Sequence, residues 1–317
     1  MNKLKSYFSG VDRKTKARKS RARRLLATTA VLGLAIIFTA LAIGANGQEL
    51  MPIDIESASD SFVGQDNTTL DFVAPTVFQA AGPNAASIQS SVDAFRDALG
   101  NPNNGNAGSL GTGRREINWD GGGANDTTTA PVTPFNVFLN TRGSQFTTPG
   151  IGLSQAPPSG GPQGGLAGLF NNPTYGTIFK TFSPLRLFTP VGSNITNTLF
   201  FLPGSNGSVP ATVTGFAAVF TDVDQPDGSG PGTKRGNRKS STLVEFFGVD
   251  RQLLYSSFVP ASPGDGGLSF LGIKFNDARI ASVRITAGNV APGPDDDQEN
   301  DIVMMDDFIY GEPNALP

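Results

Sequence analysis

The acidic side chains are where this sequence could do chemistry, and they fall into three groups. Asp222, Asp224 and Asp227 lie in TDVDQPDG, Asp306 and Asp307 lie in VMMDDFIYG, and Asp120 closes the run Asn118-Trp119-Asp120 ahead of three glycines. Carboxylates two and three positions apart on a turn can converge on one cation, and Gly228 lets the backbone bend around it. The EF-hand pattern does not match, because the third acid falls one place late and loop position 12 is Thr233, not a bidentate Glu. A solvated acidic turn is the plainer alternative. Neighbouring strand residues point to opposite faces, so one of Asp306 and Asp307 is expected to face inward unless a bulge or strand end intervenes. A buried carboxylate needs an arginine, backbone N–H groups or a metal, and calcium at this pair stands beside the arginine and backbone alternatives. Trp119 with Asn118 and Asp120 could form part of a sugar platform, the ring stacking and the polar pair bonding hydroxyls. The alternative is a buried Trp before a tight turn.

For catalysis, Glu116 and Glu245 are the only Glu residues inside clear strand patterns, and they make the pair that a carboxylate-dependent glycoside hydrolase would need. Ordinary strand-surface residues are the competing assignment. The chain has no His and no Cys. That removes Ser-His-Asp triads, thiol nucleophiles, disulfide frameworks, and haem or zinc held by imidazole. Calcium is the cofactor the composition suits; neither haem, zinc nor a nucleotide cofactor is expected.

The elements that must position these residues are short. With 39 Gly and 23 Pro in 317 residues, turns are frequent and long helices are disfavoured. One helix stands out, because Ile88, Val92, Phe95 and Leu99 recur at helical spacing between Ser87, an expected N-cap, and Gly100. A first strand is expected around Leu70 to Phe78. From Arg114 onward β-like runs follow: REINW, PFNVFLN and SQFTT, then a Gly/Pro-rich loop at 157–168. Nine more runs come after it: TIFKTF, LRLFTPV, TNTLFFLP, VTGFAAVFTDV, STLVEFFGV, QLLYSSFVP, LSFLGIKF, RIASVRITAG and IVMMDDFIYG. Bounded by Gly, Pro, Asn or Asp, they predict an all-β, jelly-roll-like β-sandwich with one short α-helix. Residues 46–317 are expected to form that domain, with a sub-boundary open at 157–168. The 23 Phe against one Trp and four Tyr fit a core packed with Phe.

Ahead of this body the sequence changes character. Ten of the 24 Lys and Arg precede position 25, and residues 25–45 carry no ionisable side chain. A basic start, an apolar stretch and the small residues Ala42, Gly44 and Ala45 predict a signal peptide or an uncleaved signal anchor over 1–45. Either outcome leaves the rest outside the cytoplasm, secreted or at the cell surface, touching membrane only through 25–45 if uncleaved. The body then holds 26 acidic against 14 basic residues, a formal charge of −12. Nucleic acid is excluded as a partner by that charge, whereas divalent cations suit it.

Several segments carry a resemblance. GFAAVFTDVD (215–224), STLVEFFGVD (241–250), LSFLGIKFNDARIASVRITAG (268–288) and IVMMDDFIYGEP (302–313) are similar to exported bacterial β-sandwich proteins that often bear a PEP-CTERM sorting tail. RREINWDGGG (114–123) and FKTFSPLRLFTPVGSNIT (179–196) resemble the same group. The likeness implies a β-sandwich fold and export, and no particular activity. The residues after Gly311 hold neither the hydrophobic segment nor the basic tail of such a signal. The composite expectation is a non-enzymatic exported β-sandwich that binds an extracellular glycan or surface protein, with structural calcium. A carboxylate-dependent hydrolase and a purely structural envelope component stand as alternatives.

Overall fold

A computed structural model describes residues 74–120, 131–161, 163–224, 242–262, 264–294 and 300–316. The expected leader at 1–45, the turn at 121–123, Asp227 and the acidic run 295–299 lie outside these residues. The chain divides into two units, Met1–Asn67 and Thr68–Pro317, and every described residue belongs to the second. Among the described residues no helix is long and apolar enough to cross a membrane.

The described chain is predominantly β. In order it runs β1 (Thr76–Gly82), α1 (Ala85–Leu99), β2 (Arg114–Ile117), α2 (Leu139–Arg142), β3 (Ser144–Thr147), β4 (Gly152–Ala156), α3 (Gly165–Leu169), α4 (Tyr175–Ile178), β5 (Leu187–Val191), β6 (Ile195–Phe200), β7 (Ala211–Thr212), β8 (Gly215–Thr221), β9 (Leu243–Phe247), β10 (Leu253–Phe258), β11 (Leu268–Lys274), β12 (Ser282–Thr286), β13 (Met304–Gly311) and β14 (Asn314–Ala315). A seven-stranded antiparallel sheet has the order β1-β11-β8-β13-β5-β4, with β2 also on β13. A five-stranded antiparallel sheet has the order β10-β9-β12-β6-β3, and β14 pairs with β7. Strands from both sides of the 157–168 loop share the same sheets: β1 pairs with β11, β2 with β13 and β3 with β6.

Period-two alternation decides which side chains are buried. Phe200, Val244, Phe246, Val283 and Ile285 of the five-stranded sheet join Ile117, Phe216, Phe220, Leu271, Ile273, Phe308 and Tyr310 of the seven-stranded sheet in one apolar cluster. The other face of the seven-stranded sheet is covered too. Helix α1 lays Ile88, Val92 and Phe95 on Ala217, Val219, Phe270 and Ile309, and α3 and α4 cover Leu187 and Met304. Each large apolar side chain buried in this way contributes roughly 1.5–3 kcal/mol. Close approach of α1 depends on Gly272, where a Cβ would come within 2.8 Å of the Phe95 ring. The β8 and β13 side chains are consequently buried on both faces.

Four local expectations are corrected. The helix starts at Ala85, three residues early, because Asn84 and not Ser87 is the N-cap and accepts from Ser87 N at 3.2 Å. Residues Tyr175–Ile178 in and before TIFKTF form a helical turn, and PFNVFLN gives one bridge at Phe135 followed by α2. In both runs the buried residues, Tyr175-Ile178-Phe179 and Phe135-Leu139, are spaced for a helical turn rather than for alternation. Part of the expected loop 157–168 is also helical, in α3.

Candidate functional site

Strand β13 changes partners half-way along one side. It pairs with β5 at Met305 and with β2 from Phe308 to Gly311, while β8 runs along its other side. Asp306 and Asp307 fall in the gap between β5 and β2. Two connecting segments occupy that gap: 118–120, leaving β2, and 182–186, entering β5. The register along β8 also shifts between Asp306 and Phe308, a bulge that makes Asp307 the extra residue. The pair therefore does not split across the two faces as alternation predicts. Asp306 stands opposite Val219 on the face covered by α1, and Asp307 reaches Arg96 of that helix.

Three carboxylates hold the 182–186 segment. Asp306 Oδ2 accepts from Phe182 N at 2.7 Å, and Asp307 Oδ1 accepts from Ser183 Oγ at 2.5 Å. Asp120 Oδ1 accepts from Arg186 N at 2.9 Å and also from Leu185 N, while its backbone carbonyl accepts from Arg186 Nη1 at 2.9 Å. Asn118 contributes its carbonyl to Ser183 Oγ at 3.4 Å and its side chain to Asp120. Beside them Glu116 accepts from Arg96 Nη2 at 2.8 Å and Arg114 Nε at 2.6 Å, and Arg96 Nη2 lies 3.7 Å from Asp307 Oδ2. Five of the residues selected from sequence, Glu116, Asn118, Asp120, Asp306 and Asp307, are thus brought together. Their partners Arg96, Ser183 and Arg186 were not selected; Arg96 borders the apolar stripe of α1, which was the only signal.

Burial, followed by the negative charge of Asp307, pushes the Asp306 carboxyl well above the usual carboxylate range. Asp307 is raised as well, chiefly by burial, with Ser183 and Arg96 pulling the other way. This donor set does not fit calcium. Asp306 Oδ1 accepts from Asp307 N at 2.8 Å and Oδ2 from Phe182 N, so backbone N–H groups use both oxygens, and a guanidinium approaches the neighbouring carboxylate.

The other selected residues lie elsewhere. Trp119 is fully buried, with its ring 3.7 Å from and parallel to Phe188 and edge-on to Phe308. It offers no stacking face to a sugar, because it is packed into the shared core with Ile117 just past the end of β2, at a left-handed φ of 60°. Its Nε1 has no hydrogen-bond partner among the described residues. Glu245 is on β9 between the inward-facing Val244 and Phe246, so it projects from the outer face of the five-stranded sheet. Glu116 projects from the opposite outer face, beside α1. The two acids of the hydrolase alternative are therefore separated by the core and line no common cleft.

At the end of β8, Asp222 is buried with a left-handed φ of 69°, Asp224 Oδ1 accepts from Gly264 N at 3.3 Å, and Asp301 Oδ1 accepts from Asp224 N at 3.5 Å. Among the described residues no three acidic groups are arranged to hold a metal ion.

A second charged centre was not anticipated. Arg115, next to Arg114 but on the core side of β2, is fully buried and pairs with Glu312: Nη2 to Oε1 at 2.6 Å and Nε to Oε2 at 2.9 Å. Its remaining N–H groups donate to the carbonyls of Asn106, Gly108 and Thr141, and Glu312 also accepts from Asn104 Nδ2 and Leu110 N. The only sequence signal is that Arg115 shares its face with Ile117. Comparisons with protein-family models, curated proteins and solved structures return no match.

Proposed function

We propose that this chain is an exported, non-enzymatic binding protein: a jelly-roll-like β-sandwich, secreted or retained at the membrane by residues 25–45, that attaches to an extracellular glycan or surface protein. The observation that carries this is the placement of Glu116 and Glu245 on opposite outer faces, which separates the two acids that the hydrolase alternative names. The remaining acids around β13 bond the protein's own backbone and arginines. Export rests on the basic-then-apolar leader, and the resemblance to exported bacterial proteins supports it. Structural calcium belongs to the same proposal at Asp222, Asp224 and Asp227, where oxygen ligands lie close in sequence.

One assay separates binding from hydrolysis. The full chain is incubated with insoluble cellulose, chitin and xylan, and both depletion of protein and release of reducing ends are followed. The expected result is depletion on at least one polymer with no new reducing ends. Reducing ends that disappear in Glu116→Gln or Glu245→Gln would overturn the proposal in favour of the hydrolase. Melting with calcium and then with chelator checks the ion: an elevated melting temperature with calcium is expected, and coincident curves contradict it.

A further inference from the structure

The outer face of the five-stranded sheet carries a polar stripe that crosses all five strands. The registers place Thr147 opposite Asn197, Asn197 opposite Arg284, Arg284 opposite Glu245, and Glu245 opposite Ser256. All five positions belong to the outward set, since Phe146, Thr198, Val283, Phe246 and Tyr255 next to them are the inward neighbours. Four interstrand steps of roughly 4.8 Å make the stripe about 19 Å long. Arg284 is fixed in it, with Nε donating to Asn197 Oδ1 at 3.1 Å and the guanidinium 5.9 Å from the centre of the Phe247 ring. Thr147, Glu245 and Ser256 make no side-chain hydrogen bond to another described residue. Apolar groups flank the stripe: Phe247 on one side with Leu253, which is 53% exposed, and Phe258 on the other, 37% exposed. Among the described residues no helix packs on this face; α1, α3 and α4 all lie on the seven-stranded sheet.

The chemistry of the stripe selects its occupant. One cation and one anion cancel, so a charged polymer gains nothing net from the row, whereas an uncharged polyol meets a donor in Arg284, an acceptor in Glu245, and groups that do both in Thr147, Asn197 and Ser256. The flanking rings and aliphatic chains suit the C–H faces of pyranose rings. A β-strand peptide would seek free main-chain N–H and C=O groups, which a sheet offers at its edge and not on its face. We infer that the outer face of the five-stranded sheet binds an extended, uncharged polysaccharide running across the strands, with Arg284 and Phe247 at the centre of the contact. This rests on the glycan-binding proposal above and gives it a location.

The test is electrophoresis of the full chain in native gels containing hydroxyethylcellulose, galactomannan or soluble xylan, with polygalacturonate as the charged comparison. The wild-type chain is expected to be retarded by at least one neutral polymer and not by polygalacturonate. Arg284→Ala and Phe247→Ala are expected to weaken that retardation about tenfold or more, the loss of one charge-assisted contact. Where either variant melts at a lower temperature than the parent, the outward-facing pair Thr147→Ala and Ser256→Ala replaces it, with the same loss expected. Equal retardation of parent and variants overturns this inference and leaves glycan binding elsewhere on the molecule. No retardation by any neutral polymer, or retardation by polygalacturonate alone, overturns both the location and the neutral-glycan proposal.

Discussion

Strand β2 sends charged side chains to both faces of one sheet, and the two faces treat them differently. On the core side Arg115 meets Glu312 as an equal and opposite pair, with every guanidinium N–H used. On the helix side Arg114 and Glu116 join Arg96, Asp306 and Asp307, where three carboxyl groups face two guanidinium groups and the contact to Asp307 is a loose 3.7 Å. A buried pair can be stable once matched and saturated, but excess buried acid must either hold a proton or find N–H donors. The helix-side acids find N–H donors, and burial raises their carboxyl groups; through those bonds they fasten the 182–186 segment to β13. The negative charge noticed in the sequence serves here as a fastener.

Breaking the saturated side should cost most. Arg115→Met leaves Glu312 buried without its partner and should destabilise the fold by roughly 3–5 kcal/mol, read from chemical denaturation. Asp306→Asn sharpens the contrast through pH. Because burial raises the carboxyl, its contribution is fully present below the ordinary Asp range and is lost as pH rises through the raised value. Asn gives up one of two N–H acceptors but carries no charge to bury. The variant should therefore melt below the parent in acid, and the difference should shrink or reverse by a few degrees toward alkaline pH. Melting profiles that run parallel across pH would contradict the raised Asp306 carboxyl. Arg96→Met removes a partly exposed guanidinium from Asp93, Glu116 and Asp307 and should cost roughly 1–2 kcal/mol, less than the Arg115 variant. Smallest of all, Glu245→Gln on the open sheet face should change stability by less than about 0.5 kcal/mol.

The legible parts of the sequence were those where one physical signal dominated. Ile88, Val92, Phe95 and Leu99 gave a helix because nothing else fits that spacing, and GFAAVFT, LVEFF, LSFLGIK and SVRIT read as strands from their apolar content. GLSQA did not, since β4 is small and polar in composition yet buried throughout by its neighbours. Ile178 reads as a strand residue in TIFKTF because a single helical turn is too short to display its period. At the site, individual residue types pointed to Glu116, Asp120, Asp306 and Asp307, but which groups meet is a property of the β2–β13–β5 junction. The bulge at Asp307 was allowed for in the strand pattern and could not be located from it. Ser183 and Arg186, polar residues in a connecting segment, carried no pattern at all.

The central claim is that Asp120, Asp306 and Asp307 hold the 182–186 segment through its backbone and Ser183. Amide hydrogen exchange tests it most directly, because Leu185 is 69% exposed and the hydrogen-bond partner of its N–H among the described residues is the Asp120 carboxylate. Protection at Phe182, Leu185 and Arg186 in the parent, lost in Asp120→Ala with Asp306→Ala while α1 stays protected, is the predicted result. Rapid exchange of those three amides in the parent would contradict it.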